Sequence, residues 1–403
     1  MHDRPRVSRA CWCGEGGLSP YSAEYGLCPA CGTLVSRAGL ADAQLAVRDD
    51  ERDFYGKEYW LSHYQGLHKP TIEGRARADL PVRCTHWLRT LLRYRLPPAR
   101  VLELGAAHGG GVALLRWAGY DAVGLEVSPW VADFARAAFG VPMLVGPVEG
   151  QDVEPASLDA VVLYDVLEHL PDPEGTLRRC AELLKPDGLL VIQTPRFPEG
   201  RGHEDLRAAN DPFLEMMAAA MADEHLYLFS RRSVAALLGR LGFGWVRFEP
   251  PAHVYDMYLL ASRREHAAHS DAEIGAALER TPSGRMTQAL LDARAEVERQ
   301  AQRAEQGKGA FHDLQTQAQA ALADLYRHVQ EGQAALAGTR QGAAAMEREL
   351  EERRKEIAHL RERLADRSDL GPYAIRCARQ VQQVVNRFPR MAGAMRKILK
   401  RAG

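Results

Sequence analysis

The segment Val101-Leu-Glu-Leu-Gly-Ala-Ala-His-Gly-Gly-Gly111, with Gly124-Leu-Glu-Val-Ser128 after it, constrains this chain more than any other feature. An apolar run, a glycine-rich turn opening a helix, and a second apolar run ending in a carboxylate spell one unit of a doubly wound α/β sheet. Gly105 and Gly109 let the backbone approach a ligand closely and turn N–H groups toward it. Glu126, about 20 residues after the first glycine, stands where a carboxylate accepts both hydroxyls of a ribose. The expected fold class is therefore Rossmann-like α/β, with a bound nucleoside.

The spacing argues against a dinucleotide. A Gly-x-Gly-x-x-Gly match starting at Gly105 fails, since position 107 is Ala. Glu103, two residues before Gly105, can instead meet the ammonium of an amino-acid moiety. Leu158–Asp165 reads as another buried strand, and Leu183-Leu-Lys-Pro-Asp-Gly-Leu-Leu-Val-Ile-Gln193 as a helix end, a turn and a further strand. Together these segments resemble the class I S-adenosylmethionine-dependent methyltransferases over roughly residues 99–262. That resemblance implies S-adenosylmethionine as cofactor, held by Glu103, Gly105, Ala107, Gly109, Glu126, Val148, Glu149, Tyr164 and Asp165. The Ala106-Ala107 pair departs from the family's usual Cys-Gly or Ser-Gly, and its extra methyl narrows the approach to the cofactor.

Four of the seven cysteines fall in the first 31 residues, as Cys11-x-Cys13-Gly and Cys28-x-x-Cys31-Gly. Two pairs of thiolates, each followed by a glycine that relieves a tight turn, fit a tetrahedral structural Zn²⁺ site. Residues 1–40 are therefore expected to form a small zinc ribbon. Residues 41–98 form an aromatic lid, with Tyr55, Tyr59, Trp60 and Tyr64, and a helical connector over 75–96. The methyltransferase-like unit spans 99–262, and 263–310 is a polar linker or helix.

From 311 to 366 apolar residues repeat every seven positions, at Leu322, Val329, Leu336, Ala343, Leu350, Ile357 and Leu364. The pattern predicts a C-terminal coiled coil and a homo-oligomer. Residues 371–403 carry eight Lys or Arg and no acid, so a net charge of −1 for the whole chain leaves −9 for the rest. Such a basic amphipathic tail suits an anionic membrane surface, while the lack of aromatic interleaving argues against nucleic acid. With no apolar run of 18 residues and no signal-like N-terminus, the expected location is cytoplasmic, with contact at the inner membrane face.

Methyl transfer needs an acceptor held in line and relieved of its proton. Glu224-His225 and His169 are the expected catalytic residues, a carboxylate-oriented histidine being a competent base at neutral pH. The Glu224-His-Leu-Tyr-Leu-Phe-Ser230 loop and the ribbon are similar to those of bacterial sugar methyltransferases, which implies a sugar or glycan acceptor. Ala222 stands where the carbon-methylating members carry Tyr, so oxygen methylation is at least as well supported. Asp165-x-x-Glu168-His169 with His225 also resembles the divalent-cation set of quinone and small-RNA methyltransferases. A quinone-type O-methyltransferase is thus the enzyme alternative, and a non-catalytic scaffold of polysaccharide assembly the other.

Overall fold

The computed structural model describes residues 6–7, 9–37, 39–57, 59–63, 70–336 and 342–365. The basic tail and Tyr64 lie outside the described residues. The chain divides into two compact units, Met1–Arg294 and Ala295–Gly403. Among the described residues no helix is long and apolar enough to cross a membrane.

The N-terminal segment builds short strands: β1 (Arg6–Val7), β2 (Ser19–Pro20), β3 (Tyr25–Leu27), β4 (Leu34–Ser36) and β5 (Gly39–Leu40). Then come β6 (Arg100–Leu104), β7 (Asp121–Glu126), β8 (Met143–Val145), β9 (Leu158–Tyr164), β10 (Leu184–Pro195), β11 (Tyr227–Leu228), β12 (Trp245–Glu249) and β13 (Asp256–Ser262). Seven of them form one sheet in the order β12-β13-β10-β9-β6-β7-β8, parallel except that β13 runs antiparallel to both its neighbours. The strand order reverses between β6 and β9, the crevice in which doubly wound sheets bind ligands. The central strands are buried on both faces, which is why they read as continuous apolar runs. Within β10 the pairing register shifts between Leu184 and Leu189, where the Lys-Pro-Asp-Gly stretch suggests a turn.

The connector helix begins at Ile72, capped by the Thr71 hydroxyl, and runs to Tyr94 with one widened stretch at Leu80–Cys84. Pro81 offers no N–H to the helix ladder, which accounts for the irregularity. Trp87, Leu88, Leu91 and Leu92 bury the face expected of them.

Two boundaries differ from the sequence reading. β11 pairs with β4 instead of the large sheet, so the ribbon is not a self-contained unit over 1–40. The segment after Ser262 is also less of a linker than its polarity suggests. A helix over Asp271–Leu278 buries Ile274 and Leu278 against the core that contains Leu88 and Leu92.

The helix Pro282–Leu336 starts in the first unit, and in the second its later part lies antiparallel to the helix Gly342–Ala365, joined by Asp324–Arg353 at 2.9 Å and His328–Glu349 at 3.1 Å. Over these residues the two helices face each other within one chain. On the first helix the shielded seam is Leu314, Ala318, Ala321, Leu325 and His328, while Leu322 is 36% exposed. Ala318 and Leu325 keep the expected seven-residue spacing within this seam, whereas Leu322 lies outside it.

Candidate active site

A cavity of about 620 Å³ opens at the carboxyl ends of β6, β7 and β9. That is a volume suited to a nucleoside-sized ligand. Seven of the nine residues expected at the cofactor line it: Gly105, Ala107, Glu126, Val148, Glu149, Tyr164 and Asp165. Glu103 and Gly109 are not among its lining residues. Glu103 is buried beneath the helix that follows the glycine turn, and burial pushes its carboxyl up to about 8. Gly109 has a positive φ of 81°, and a Cβ there would lie 2.6 Å from Ala135 Cβ, so it serves close packing of two helices.

Gly105, by contrast, sits at the cavity with φ 65°, where a Cβ would strike Val166. Ala107 takes the left-handed conformation, φ 46°, that favours glycine. The Glu126 carboxylate accepts N–H bonds from Ala107 at 3.0 Å and Val127 at 2.8 Å. Those bonds fix its orientation toward the cavity.

Asp165 ends β9 with φ 57° and is spoken for. It pairs with Arg83 and accepts a 2.9 Å bond from Gln193. Burial opposes its ionisation, but the Arg83 charge holds its carboxyl below the ordinary range. It lines the cavity wall, backed by Arg83, and is not part of the cluster formed by Glu168, His169 and His225.

Beyond Asp165 the chain turns through Leu167–His169. His169 lines the cavity, and its Nδ1 lies 3.0 Å from the Glu224 backbone carbonyl and 3.0 Å from the Tyr55 hydroxyl. A carbonyl only accepts, so Nδ1 carries the proton and Nε2 the lone pair. His225 repeats the arrangement, donating Nδ1–H to the Met216 carbonyl at 2.8 Å. The two rings stand 5.0 Å apart. Burial and then the His225 charge bring His169 down to about 4, so it is neutral at physiological pH. A ligand atom from each of Glu168, His169 and His225 lies within 4.8 Å of the other two.

Residues 76–247 match a family model described as a methyltransferase domain. The chain is 39% identical over 111 residues to the ubiquinone biosynthesis O-methyltransferase of Xanthomonas campestris, covering 25% of this chain and 45% of that protein. It is 37% identical over 131 residues to the protein of the same name from Xanthomonas axonopodis, covering 29% and 54%. The chain thus spans about half the length of these curated relatives. Among solved structures it is similar to an S-adenosylmethionine-dependent methyltransferase of Thermotoga maritima, at 18% identity and a TM-score of 0.37, covering 51% of this chain and 97% of that one.

Residues 76–247 form a methyltransferase domain.

The methyltransferase domain fits its cofactor on its own geometry. Glu126 presents a fixed carboxylate and Gly105 a close-approach backbone, while Val148 and Glu149 line the cavity further along the wall. Sequence reading missed Arg75, whose guanidinium lies over the Trp60 ring at 5.6 Å and lines the same cavity. Arg75 also bonds Asp79 at 3.1 Å, which in turn meets His108 Nε2 at 3.2 Å. Burial works against the Asp79 charge, yet His108 and Arg75 hold its carboxyl at about 2. Arg75 and Arg48 both place a guanidinium side chain on the cavity wall. Nothing in the sequence singled Arg75 out among the six arginines of residues 75–95.

Tyr55 and Tyr59 line the acceptor end of the cavity, and Trp60 packs on Ile72 and Val131. Burial raises both tyrosines well above their usual range, and the Glu224 charge is the next cause in each. The Glu224 side chain thus faces the tyrosine hydroxyls, and the bond that orients His225 comes from Met216.

In the ribbon, Cys11 and Cys31 Sγ lie 3.4 Å apart and Cys13 and Cys28 Sγ 3.6 Å apart. All four atoms fall within 4.8 Å of one another. Tetrahedral Zn–S bonds of about 2.3 Å put sulfurs roughly 3.8 Å apart, so the donor set fits.

Proposed function

We propose that this chain is an S-adenosylmethionine-dependent O-methyltransferase acting on a sugar or glycan hydroxyl, with a divalent cation at Glu168, His169 and His225. The observation that carries the reading is the convergence of one ligand atom each from His169, His225 and the Glu168 carboxylate beside the cofactor cavity. Both imidazoles are locked through Nδ1 to backbone carbonyls, the arrangement that orients metal-ligating histidines. A divalent cation bound there supplies charge that lowers the acceptor hydroxyl's pKa. S-adenosylmethionine supplies an activated methyl group. The chain's own work is then to bind and orient. Glu126 and Arg75 hold the two ends of the cofactor, and Tyr55, Tyr59 and His169 wall the acceptor and exclude water.

Oxygen as the acceptor atom is supported by relatives that are named O-methyltransferases. A sugar is supported by the polar wall of Tyr55, Tyr59, Asp165 and His169, which offers hydrogen bonds to a polyol. The same relatives favour a second reading, a phenolic quinone precursor. Structural Zn²⁺ at Cys11, Cys13, Cys28 and Cys31 belongs to the proposal, as do self-association through the C-terminal helices and contact of residues 371–403 with anionic membrane.

The test is methyl transfer from labelled S-adenosylmethionine to nucleotide sugars, glycans and catechols, with and without chelator. Turnover of a sugar that chelator abolishes and Mn²⁺ restores is the expected result. Turnover of catechols alone selects the second reading. Chelator-insensitive turnover assigns His225 Nε2 as a metal-free base.

A further inference from the structure

The ribbon and the loop that carries His225 are parts of one sheet. β11 starts two residues after His225 and forms the edge of the sheet β11-β4-β3-β2, with Tyr227 opposite Val35 and Leu228 opposite Leu34. The loop before β11 has no repeating structure, so its backbone groups must find partners one by one. Its N–H groups bond within the loop and to Glu168, and the ribbon supplies the donors for most of its carbonyls. Ser36 Oγ–H donates to the Ala222 carbonyl at 2.7 Å, Leu40 N–H to Asp223 at 3.2 Å, the Tyr25 hydroxyl to His225 at 3.1 Å, and Ser36 N–H to Leu226 at 2.9 Å. The remaining carbonyl, that of Glu224, takes His169 Nδ1–H. Five consecutive carbonyls are thus held, four by the ribbon and one by the site itself. Leu226 N–H closes the circuit by donating to the Glu168 carbonyl at 2.8 Å.

The donors stand beside the thiols. β3 carries Tyr25 and ends at Leu27, directly before Cys28, and β4 carries Ser36 and begins at Leu34, just after Cys31. A metal at the four thiols fixes the ends of these two strands. We propose that the four-cysteine ribbon is a positioning element for His225, so that zinc in the ribbon controls assembly of the Glu168–His169–His225 trio some residues away in the fold. The trio's role as a cation site rests on the function proposed above, whereas the placement of His225 by the ribbon does not.

The experiment uses the full chain and three readouts: deuterium exchange of residues 222–228, Mn²⁺ affinity by electron paramagnetic resonance, and S-adenosylmethionine affinity by calorimetry. Tyr25→Phe and Ser36→Ala remove one side-chain donor each and leave every thiol in place. Zinc removal by a chelator, followed by repurification, is the parallel perturbation that needs no substitution. Expected are faster exchange over 222–228, Mn²⁺ binding weakened about tenfold, as for lost outer-shell partners, and cofactor affinity unchanged. Unchanged exchange in both variants and in the zinc-depleted chain overturns the proposal. So does unchanged Mn²⁺ affinity in a chain that binds Mn²⁺. Faster exchange in a chain that never binds Mn²⁺ sinks the cation reading of the trio and leaves the positioning of His225 standing.

Discussion

His169 and Glu224, 55 residues apart in sequence, are joined by a 3.0 Å bond from the histidine Nδ1–H to the glutamate's backbone carbonyl. The bond leaves His169 Nε2 facing His225 and Glu168, and it makes the loop after β10 answerable to the turn after β9. A residue chosen for its side chain thus contributes through its main chain as well.

His225→Ala removes one of the three converging side chains without touching the cofactor wall. Turnover should fall about 100-fold or more, the usual scale for a lost ligand or base, while S-adenosylhomocysteine affinity stays within a few-fold. Steady-state kinetics beside calorimetry check the pair. Turnover within a few-fold of the parent would remove His225 from the chemistry.

Arg75→Gln should weaken S-adenosylmethionine binding about tenfold, the loss of one charge-assisted bond. Methylthioadenosine, which has no carboxylate, should bind the variant and the parent alike. Equal weakening of both ligands would show that Arg75 only braces Trp60 and Asp79.

Glu103 gives the fold a pH dependence in the cofactor-free state. Its carboxyl is raised from 4.5 to about 8 by burial, so the unfolded chain ionises first as pH rises. The stability it allows is complete below about 4.5 and is lost progressively toward 8, at about 1.4 kcal/mol per pH unit at most. Glu103→Gln should flatten the fall in melting temperature between pH 5 and 8. Parallel melting curves for variant and parent would show that the carboxyl finds a charge partner.

Ala107→Gly should relieve a left-handed alanine, φ 46°, by about 1 kcal/mol. The expected gain is about 2–4 °C in melting temperature, with cofactor affinity equal or better. A drop in affinity would mean that the methyl group contacts the ligand usefully.

Much of the methyltransferase domain was legible in the order of its residues. β6, the glycine turn, β7 with Glu126, β9 and β10 are local patterns, since strand burial, turn conformation and helix start each act over a few neighbouring residues. The same holds for the four-cysteine cluster, whose pairs sit on two tight turns. What local pattern left open was partnership. Arg83 and Asp165 are 82 positions apart, and their pairing takes Asp165 out of the cation set that its spacing to Glu168 suggests. Glu103 matched the cofactor motif by position, yet the helix from Gly110 to Trp117 covers it. The seven-residue repeat announced a packing seam but could not say whether the partner was another chain or the same one folded back.

The sequence by itself determined the sheet, the nucleoside-binding turn and the thiol cluster, because each depends on contacts between near neighbours. Only the tertiary structure decided that Tyr25, Ser36 and Leu40 grip the loop around His225, and that Glu168, His169 and His225 meet at one wall. Those contacts join segments that are up to 200 residues apart, and chain closure over such distances is set by the packing of the whole domain, which no local pattern encodes.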